Sequence, residues 1–321
     1  MHHASCIMHG ASFTAPAPKI CYTFLFYLIY NPGMSEKRLT FEFADKYEDF
    51  ITIGGGHMTA VFCTSTPSIL FDPGVSIFGP LCLKRMRDNR RNTHNLIIAL
   101  SHSHFDHCGS VPYLLRHLPT ARVAASERCA DVLQRPNAVE LIRRLNEEYE
   151  QGVPADLAGE DVSFGPVAVT YRLKEGDAIR LEGGRECRVI ETSGHTRDSL
   201  TYYFPDTGIA FVGDAAGALE HGLIHSPYLV SYEDYIASIE KIRTLRPRAI
   251  CMPHNGILSG GEVERYLCEA AAAAVAYKDM IREYLKLYKG DREKVVERIT
   301  VEEYDAEPNH IQKRQPFILN L

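Results

Sequence analysis

The sequence predicts an α/β or α+β domain in which sheets and helices are stacked in layers. Short apolar runs rich in Ile, Val, Phe and Thr come first and are separated by turn residues, which is the pattern of strands. Segments with apolar residues at every third or fourth position then alternate with further strands, which indicates packed amphipathic helices. The chain has 321 residues, of which 45% are hydrophobic, and this is enough to build a substantial core.

The first half of the chain contains both patterns. Turn residues such as Gly54-Gly55-Gly56 and Asp72-Pro73-Gly74 separate the apolar runs. Strands are predicted at 50–53, 58–64, 68–71, 95–100 and 121–125. Helices are predicted at 77–91, 109–117, 126–134 and 137–150.

The second half continues the alternation. Strands are predicted at 167–172, 178–182, 187–191, 199–204, 209–212 and 248–252. Ser231 can cap a helix that runs to Leu245. Glu233 and Asp234 stand in its first turn, where negative charge favours the start of a helix. Apolar residues recur every three or four positions from Val263 to Tyr288, which predicts a long helix. We expect one domain over 34–321, of which 260–321 is a helical C-terminal segment.

The N-terminal 33 residues are interpreted as a disordered or non-native extension that precedes a start at Met34. Residues 20–30 are apolar, but a membrane-spanning helix needs about 20 residues. A secretory signal is the alternative, although only Lys19 precedes the run and no small-residue cleavage site follows it. We therefore expect no membrane association.

Charge and cysteine content exclude several classes of protein. The net charge is −6, and the dense basic stretch from Lys84 to Arg91 reads as a solvated helix face, so no nucleic-acid partner is expected. The nine cysteines are scattered without a CxxC pair, which argues against a disulfide scaffold and against a structural zinc ribbon. A reducing, cytoplasmic setting fits this pattern best.

One short segment concentrates metal-binding side chains. His102, His104, Asp106 and His107 lie within six residues, between a predicted buried strand and a helix. Imidazole and carboxylate are ligands of zinc and related divalent cations. His102 and His104 point the same way on an extended backbone, whereas Asp106 and His107 turn around the helix start. The segment can therefore hold two cations side by side.

Three more candidate ligands follow predicted strands further along the chain. They are His195 in Gly194-His195-Thr196, Asp214 in Gly213-Asp214-Ala215, and His254 in Pro253-His254-Asn255. Side chains at strand ends are held by a rigid scaffold, which suits a preformed site.

The order of these motifs resembles the metallo-β-lactamase fold superfamily, especially its glyoxalase II-like and lactonase-like hydrolases. The resemblance covers about residues 41–259 and implies a four-layer αββα sandwich with the site at one edge of the sheets. It implies that His102, His104 and His195 hold one metal, that Asp106, His107 and His254 hold the other, and that Asp214 bridges them. Asp72 matches a strand-end aspartate of the family with a supporting role.

The resemblance further implies a hydrolase that uses a metal-bridging hydroxide to cleave an ester, thioester or lactone of a small molecule. Two divalent metal ions are expected, zinc first, with iron or manganese as alternatives. Asp106 and Asp214 are the candidate catalytic residues, and Asp106 could pass a proton to the leaving group. β-Lactamases with Cys or His at the bridging position differ from this chain, which makes antibiotic hydrolysis a weaker expectation.

Other functions remain open at this point. A mononuclear iron persulfide dioxygenase of the same superfamily would need only His102, His195 and Asp214. A phosphodiesterase or nuclease is disfavoured by the negative charge, and a non-catalytic metal protein by the complete ligand set. Candidate pocket residues are Glu127, His221, His225 and Tyr228, and Cys108 is expected to pack under the helix. The apolar face of the long C-terminal helix leaves a homodimer open.

Overall fold

The computed structural model describes residues 39–55, 58–88, 93–151, 159–220, 222–306, 314–319 and 321. Within these residues, two sheets pack face to face. The first follows the order β1 to β7, with the bounds Lys46–Tyr47, Phe50–Gly55, Met58–Cys63, Ile69–Phe71, Ile97–Ala99, Arg122–Ser126 and Tyr171–Leu173. The expected N-terminal extension lies outside the described residues.

The second sheet has six strands in the order β15-β14-β11-β10-β9-β8. Its strands in chain order are β8 (Ala178–Arg180), β9 (Glu186–Glu191), β10 (Leu200–Phe204), β11 (Ile209–Phe211), β14 (Ala249–Met252) and β15 (Gly256–Ser259). A separate hairpin is formed by β12 (Ala218–Glu220) and β13 (Leu223–His225).

Helices cover the outer faces of both sheets. Their bounds, from α1 to α9, are Gly79–Asp88, Phe105–Cys108, Val111–His117, Glu127–Val132, Pro136–Glu150, Tyr232–Thr244, Gly261–Leu287, Arg292–Ile299 and Arg314–Leu319. The predicted cap of α6 is confirmed, because the Ser231 side chain accepts from the backbone N–H of Asp234. Asp291 caps α8 in the same way and accepts from the backbone N–H of Lys294.

Three apolar cores separate the layers, because alternate residues of a strand face opposite sides of a sheet. Between the sheets, the ring of Phe71 stacks on Phe211 with centroids 4.7 Å apart, and Phe50 meets Phe204 edge-on at 4.8 Å. The outer core of the first sheet includes Ile98 and Leu114, among others. The order of layers is therefore α, β, β, α, which confirms the predicted sandwich.

The outer core of the second sheet lies beneath α6 and the first half of α7. Ile250 of the sheet packs there with Ile239 of α6 and Leu267 of α7. The start of the long C-terminal helix thus packs against its own sandwich.

Parallel pairing brings the loops of the predicted site to one edge. Strands β4, β5, β6 and β7 run parallel to one another, and β11 and β14 of the second sheet also form a parallel pair. The carboxyl ends of parallel strands meet at the same edge of a sheet, where α/β proteins place their functional loops. Asp72, His102, Asp214 and His254 all follow such strand ends.

Two predicted elements differ from those observed. The helix expected at 109–117 begins only at Val111, because a separate short helix, α2, precedes it and ends at Cys108, directly before Gly109. A Cβ on Gly109 would lie 2.5 Å from the Asn146 side chain and 2.6 Å from the Ser76 backbone N, so α5 and the loop after β4 pack against this turn. The strand expected at 167–172 begins only at Tyr171, because Val162, Phe164 and Val167 fill the outer core from irregular backbone.

In the part of the chain that the structure describes, we find no helix that combines the length and the apolar character needed to cross a bilayer.

The packing between the sheets predicts a strong effect of one truncation. Phe204 contacts both Phe50 and Phe71, so Phe204→Ala should cost about 3–5 kcal/mol of unfolding free energy through lost burial and a residual cavity. Denaturant unfolding of the purified variant measures this. Tyr203→Phe is the matched control, because it removes one hydroxyl on the opposite face and should cost about 1 kcal/mol or less. Equal losses in the two variants would contradict the assigned core.

Candidate metal centre

Three histidines converge from loops that belong to different sheets. His102 and His104 follow β5 of the first sheet, and His195 lies between β9 and β10 of the second. The Nε2 atom of His195 lies 3.2 Å from Nε2 of His102 and 3.1 Å from Nδ1 of His104. His102 and His195 are almost completely buried. This first group can present three ring nitrogens to one cation.

A second group lies beside the first. Asp106 and His107 occupy the first turn of α2, and His254 follows β14. Their ligand atoms all lie within 4.8 Å of one another. The Oδ1 atom of Asp106 lies 3.9 Å from Nε2 of His107, and its Oδ2 atom lies 3.8 Å from Nε2 of His254. These distances leave room for a cation between the carboxylate and the two rings.

Asp214 lies between the two groups. Its Oδ2 atom is 3.4 Å from Nε2 of His107 and 3.4 Å from Nε2 of His195, and its Oδ1 atom is 3.5 Å from Nε2 of His254. The one carboxylate therefore contacts members of both groups. The seven side chains predicted as ligands meet at one point of the fold, although their roles as ligands remain a prediction.

The residue before Asp214 must be a glycine. Gly213 has a φ of +53°, and a Cβ there would lie 2.7 Å from both Cβ and Oγ of the buried Ser101. This close approach brings the loop after β11 against the loop after β5.

Asp72, His102 and His107 also lie close enough to form a third group of possible metal ligands. The Asp72 carboxylate, however, meets Nδ1 of His107, the ring nitrogen that faces away from the other candidate ligands. Its Oδ2 atom accepts from Nδ1 of His107 at 2.8 Å, and its Oδ1 atom accepts from the backbone N of Ser101 at 2.7 Å. With Nδ1 bound to Asp72, Nε2 is the nitrogen of His107 that faces the centre, where a cation can take the place of its proton. The supporting role expected for Asp72 agrees with this geometry.

His195 is oriented by a backbone group. Its Nδ1 atom donates to the carbonyl of Pro227 at 2.6 Å, since a carbonyl oxygen can only accept. In the neutral ring the lone pair is then on Nε2, which faces His102 and His104.

The donor set fits divalent cations. Nε2 of His107 is buried and has no hydrogen-bond partner among the described residues. Such an orphaned nitrogen is costly in a protein interior unless an acid or a cation satisfies it. Neutral imidazoles and carboxylates are the ligands that zinc takes in proteins, and here they point at one another rather than at separate partners.

The two groups differ in their affinity for protons. Burial, followed by the neighbouring His195, lowers the pKa of His104 to about 4, and burial together with nearby histidines holds the pKa of His102 well below its usual value. Burial alone would lower the pKa of His254, but the charge of Asp214 raises it to about 9. Asp214, Asp106 and Asp72 likewise outweigh burial at His107 and raise its pKa well above the usual range.

Sequence reasoning missed several supporting groups. Asp198 is buried, and its Oδ2 atom accepts from the backbone N of Ser103 at 2.9 Å while its carbonyl accepts from the Ser126 hydroxyl at 2.9 Å. The first bond connects the loop of His195 to the loop of His102 and His104, and the second connects it to the end of β6. In the sequence, Asp198 is recognisable only as a polar residue three positions after the candidate ligand His195. This is a weak indication of a role when the contacts are unknown.

The candidate pocket residues have different surroundings. Glu127 is exposed in the first turn of α4, and His225 is exposed with Nε2 3.6 Å from Oε2 of Glu220. Tyr228 packs its ring against Tyr232, with centroids 5.3 Å apart, and against Tyr235 and Tyr277. His221 lies outside the described residues.

Cys108 is fully buried, as expected. Its thiol donates to the carbonyl of Ser103 at 3.6 Å, and burial raises its pKa well above the usual value. The thiol therefore packs beneath the ligand segment as a neutral group.

Comparisons with known proteins show the family of the chain. The model of the metallo-beta-lactamase superfamily matches residues 52–254. The metallo-beta-lactamase fold-containing protein ST1585 of Sulfurisphaera tokodaii is 27% identical over 179 residues, which are 53% of this chain and 64% of that protein. The solved structure of ST1585 from Sulfolobus tokodaii aligns with a TM-score of 0.50 at 22% identity, over 68% of this chain and 84% of that chain.

Two curated enzymes are also similar. The hydroxyacylglutathione hydrolase of Cereibacter sphaeroides is 32% identical over 178 residues, which are 55% of this chain and 54% of the enzyme. The acyl-coenzyme A thioesterase MBLAC2 of Bos taurus is 28% identical over 195 residues, which are 60% of this chain and 64% of the enzyme. The chain thus spans between about half and two thirds of the length of these three curated relatives.

The contrast in pKa predicts that the two groups bind cations with different proton release. His102 and His104 have no proton to lose at neutral pH, whereas His107 and His254 hold protons that a cation must displace. Affinity of the group containing His254 should therefore rise as pH increases from 7 to about 9, and affinity of the other group should change little. Titration calorimetry of zinc in buffers of different ionisation enthalpy measures the protons released at each step. Equal release in both steps would contradict the assigned asymmetry.

Proposed function

We propose that this chain, which belongs to the metallo-beta-lactamase superfamily, is a hydrolase that uses two divalent cations to cleave an ester, thioester or lactone of a small molecule. The observation that carries the proposal is the convergence of seven side chains into two adjoining groups that share Asp214. A single structural cation would not require this second, complete group of ligands beside the first.

His102, His104 and His195 would hold one cation, and Asp106, His107 and His254 the other, with Asp214 contacting both. Zinc is the first choice because imidazole nitrogens dominate the set, and iron or manganese are the alternatives. Bound divalent cations lower the pKa of water towards neutrality and polarise a substrate carbonyl. The protein contributes the orientation of the ligands, which Asp72 and the Pro227 carbonyl fix from behind.

Asp106 is the residue that we propose to move a proton. Its side chain is 13% exposed, close to the 12% of Asp214, but Asp214 is already assigned to contact both cations. A carboxylate at the solvent edge of the site can take a proton from the attacking water and pass it to the departing alcohol or thiol. The leaving group then departs neutral, and the carboxylate returns to its starting state.

Thioesters are the substrate class that we propose to test first. Two similar curated proteins are named as a hydroxyacylglutathione hydrolase and an acyl-coenzyme A thioesterase, and both names describe thioester cleavage. The net charge of −6 supports a small-molecule substrate over a nucleic acid. Seven free cysteines among the described residues support a reducing compartment, and we propose the cytoplasm.

The metal content of the chain tests the proposal directly. Elemental mass spectrometry of protein purified without chelator or metal-affinity resin should find close to two zinc, iron or manganese ions per chain. The same protein should hydrolyse a member of a panel of acyl thioesters, esters and lactones. One iron per chain that does not increase on metal supplementation, together with oxygen uptake on a persulfide, would instead support the dioxygenase that needs only His102, His195 and Asp214.

Asp214→Ala should remove the carboxylate that contacts both groups, so bound metal should fall and turnover should be lost. Metal content and the initial rate on the best thioester measure the two effects. Cys108→Ala is the control beside the ligand segment, and it should retain most activity because its thiol only packs and donates to a carbonyl. Full activity of the Asp214 variant would contradict the two-cation mechanism.

A further inference from the structure

Ser101 occupies a fixed place directly before the first candidate ligand. Its side chain is buried with 1% of the residue exposed, and it packs against Gly213, where a Cβ would approach Ser101 Oγ to 2.7 Å. The Oγ atom lies 2.5 Å from Oδ2 of Asp72 and 2.9 Å from Nδ1 of His102. The hydroxyl therefore stands between a carboxylate and a ring nitrogen.

The positions of the protons follow from the number of donors. A hydroxyl has one proton, and an ionised carboxylate can only accept, so the Ser101 proton points to Asp72. Oγ then has only lone pairs for His102, and Nδ1 of His102 must be the donor. The remaining nitrogen of the neutral ring, Nε2, is left with its lone pair facing the centre.

A competing arrangement lies close by. Nε2 of His102 is 3.2 Å from Nε2 of His195, and that nitrogen is an acceptor because Nδ1 of His195 donates to Pro227. Without the Ser101 hydroxyl, the proton of His102 would be most stable on Nε2, where it could be donated to His195. A proton in that position occupies the point at which a cation would bind.

We propose that Ser101 is a positioning residue that keeps the proton of His102 on Nδ1 and so turns its Nε2 lone pair towards the cation. Asp72 accepts from the Ser101 hydroxyl and from Nδ1 of His107 through the same oxygen, Oδ2. One carboxylate thereby orients a ligand of each group, directly for His107 and through Ser101 for His102. The effect on metal affinity rests on the proposed function, but the effect on the tautomer does not.

The tautomer can be read without any metal. Long-range ¹H–¹⁵N correlation spectra of chelator-treated protein at neutral pH distinguish a proton on Nδ1 from one on Nε2. The same spectra distinguish a neutral ring from a charged one, and the tautomer of His102 is read at a pH where its ring is neutral. We expect the Nδ1–H form in the native chain and the Nε2–H form, or a mixture, in Ser101→Ala.

Ser103→Ala is the matched control. Ser103 lies two residues away, between His102 and His104, and is also buried, but the bonds described for it involve its backbone N and O. This variant should leave the tautomer of His102 unchanged. If Ser101→Ala keeps the native Nδ1–H form, or if the two variants behave alike, the proposal is wrong.

Metal binding gives the second readout. Loss of a group that supports a ligand typically lowers metal affinity about 10- to 100-fold, so Ser101→Ala should weaken binding of one zinc ion by that factor. The histidine signals during a zinc titration identify which group fills. The weakened group should be the one with His102, and Asp72→Asn should weaken both. Equal weakening of zinc binding at both groups by Ser101→Ala would contradict the proposal that Ser101 orients His102 alone.

The two proposals fail in different ways. A native chain that takes up no zinc would contradict the proposed function, while the spectra of the chelator-treated protein would still decide the role of Ser101. A native chain that binds two zinc ions, with an unchanged tautomer in Ser101→Ala, would contradict the role of Ser101 alone.

Discussion

The structure depends on the close approach of ring nitrogens and a carboxylate in an interior from which water is largely excluded. His195, His102, His107 and Asp214 place ligand atoms 3.2–3.4 Å apart, and these histidines are almost completely buried. Lone pairs directed at one another are unfavourable in a medium of low dielectric constant, so the arrangement needs either protons or cations between them. Hydrogen bonds on the far side of the rings, between His107 and Asp72 and between His195 and the Pro227 carbonyl, prevent the side chains from moving apart. The fold therefore maintains a centre that is most stable when positively charged species occupy it.

Both sheets contribute to this centre, and the reason is the direction of their strands. The loops that follow the parallel strands β4 and β5 contain Asp72 and His102, and the loops that follow β11 and β14 of the other sheet contain Asp214 and His254. The aromatic core between the sheets fixes their separation, and the Phe71–Phe211 stack lies one residue before Asp72 and two before Gly213. Hydrophobic packing thus sets the spacing of the polar atoms, and the polar loops only adjust their final orientation.

Much of this could be predicted from the sequence because the relevant signals are local. The spacing from His102 to His107, and the position of His195, Asp214 and His254 after apolar runs, could be read from the residues themselves. The αββα sandwich and the supporting role of Asp72 came from the resemblance to the family. The partners of these groups could not be found in either way, because Ser101 lies 29 residues from Asp72, and Pro227 acts through its backbone carbonyl, which has no sequence signature. Strand β15 was also missed, since a four-residue segment that begins with glycine resembles a turn until β14 pairs with it.

The placement of the ligands along the chain has a consequence for biosynthesis. The segment with His102, His104, Asp106 and His107 leaves the ribosome long before His195, Asp214 and His254 exist. A nascent chain of that length lacks the second sheet, the shared carboxylate and the carbonyl that orients His195. Any cation that it met would be held by an incomplete and poorly oriented set of ligands, and exchange with the surrounding pool would remain easy. If the seven side chains bind metal as proposed, selection of the final cation is therefore a late event that follows the docking of the two sheets.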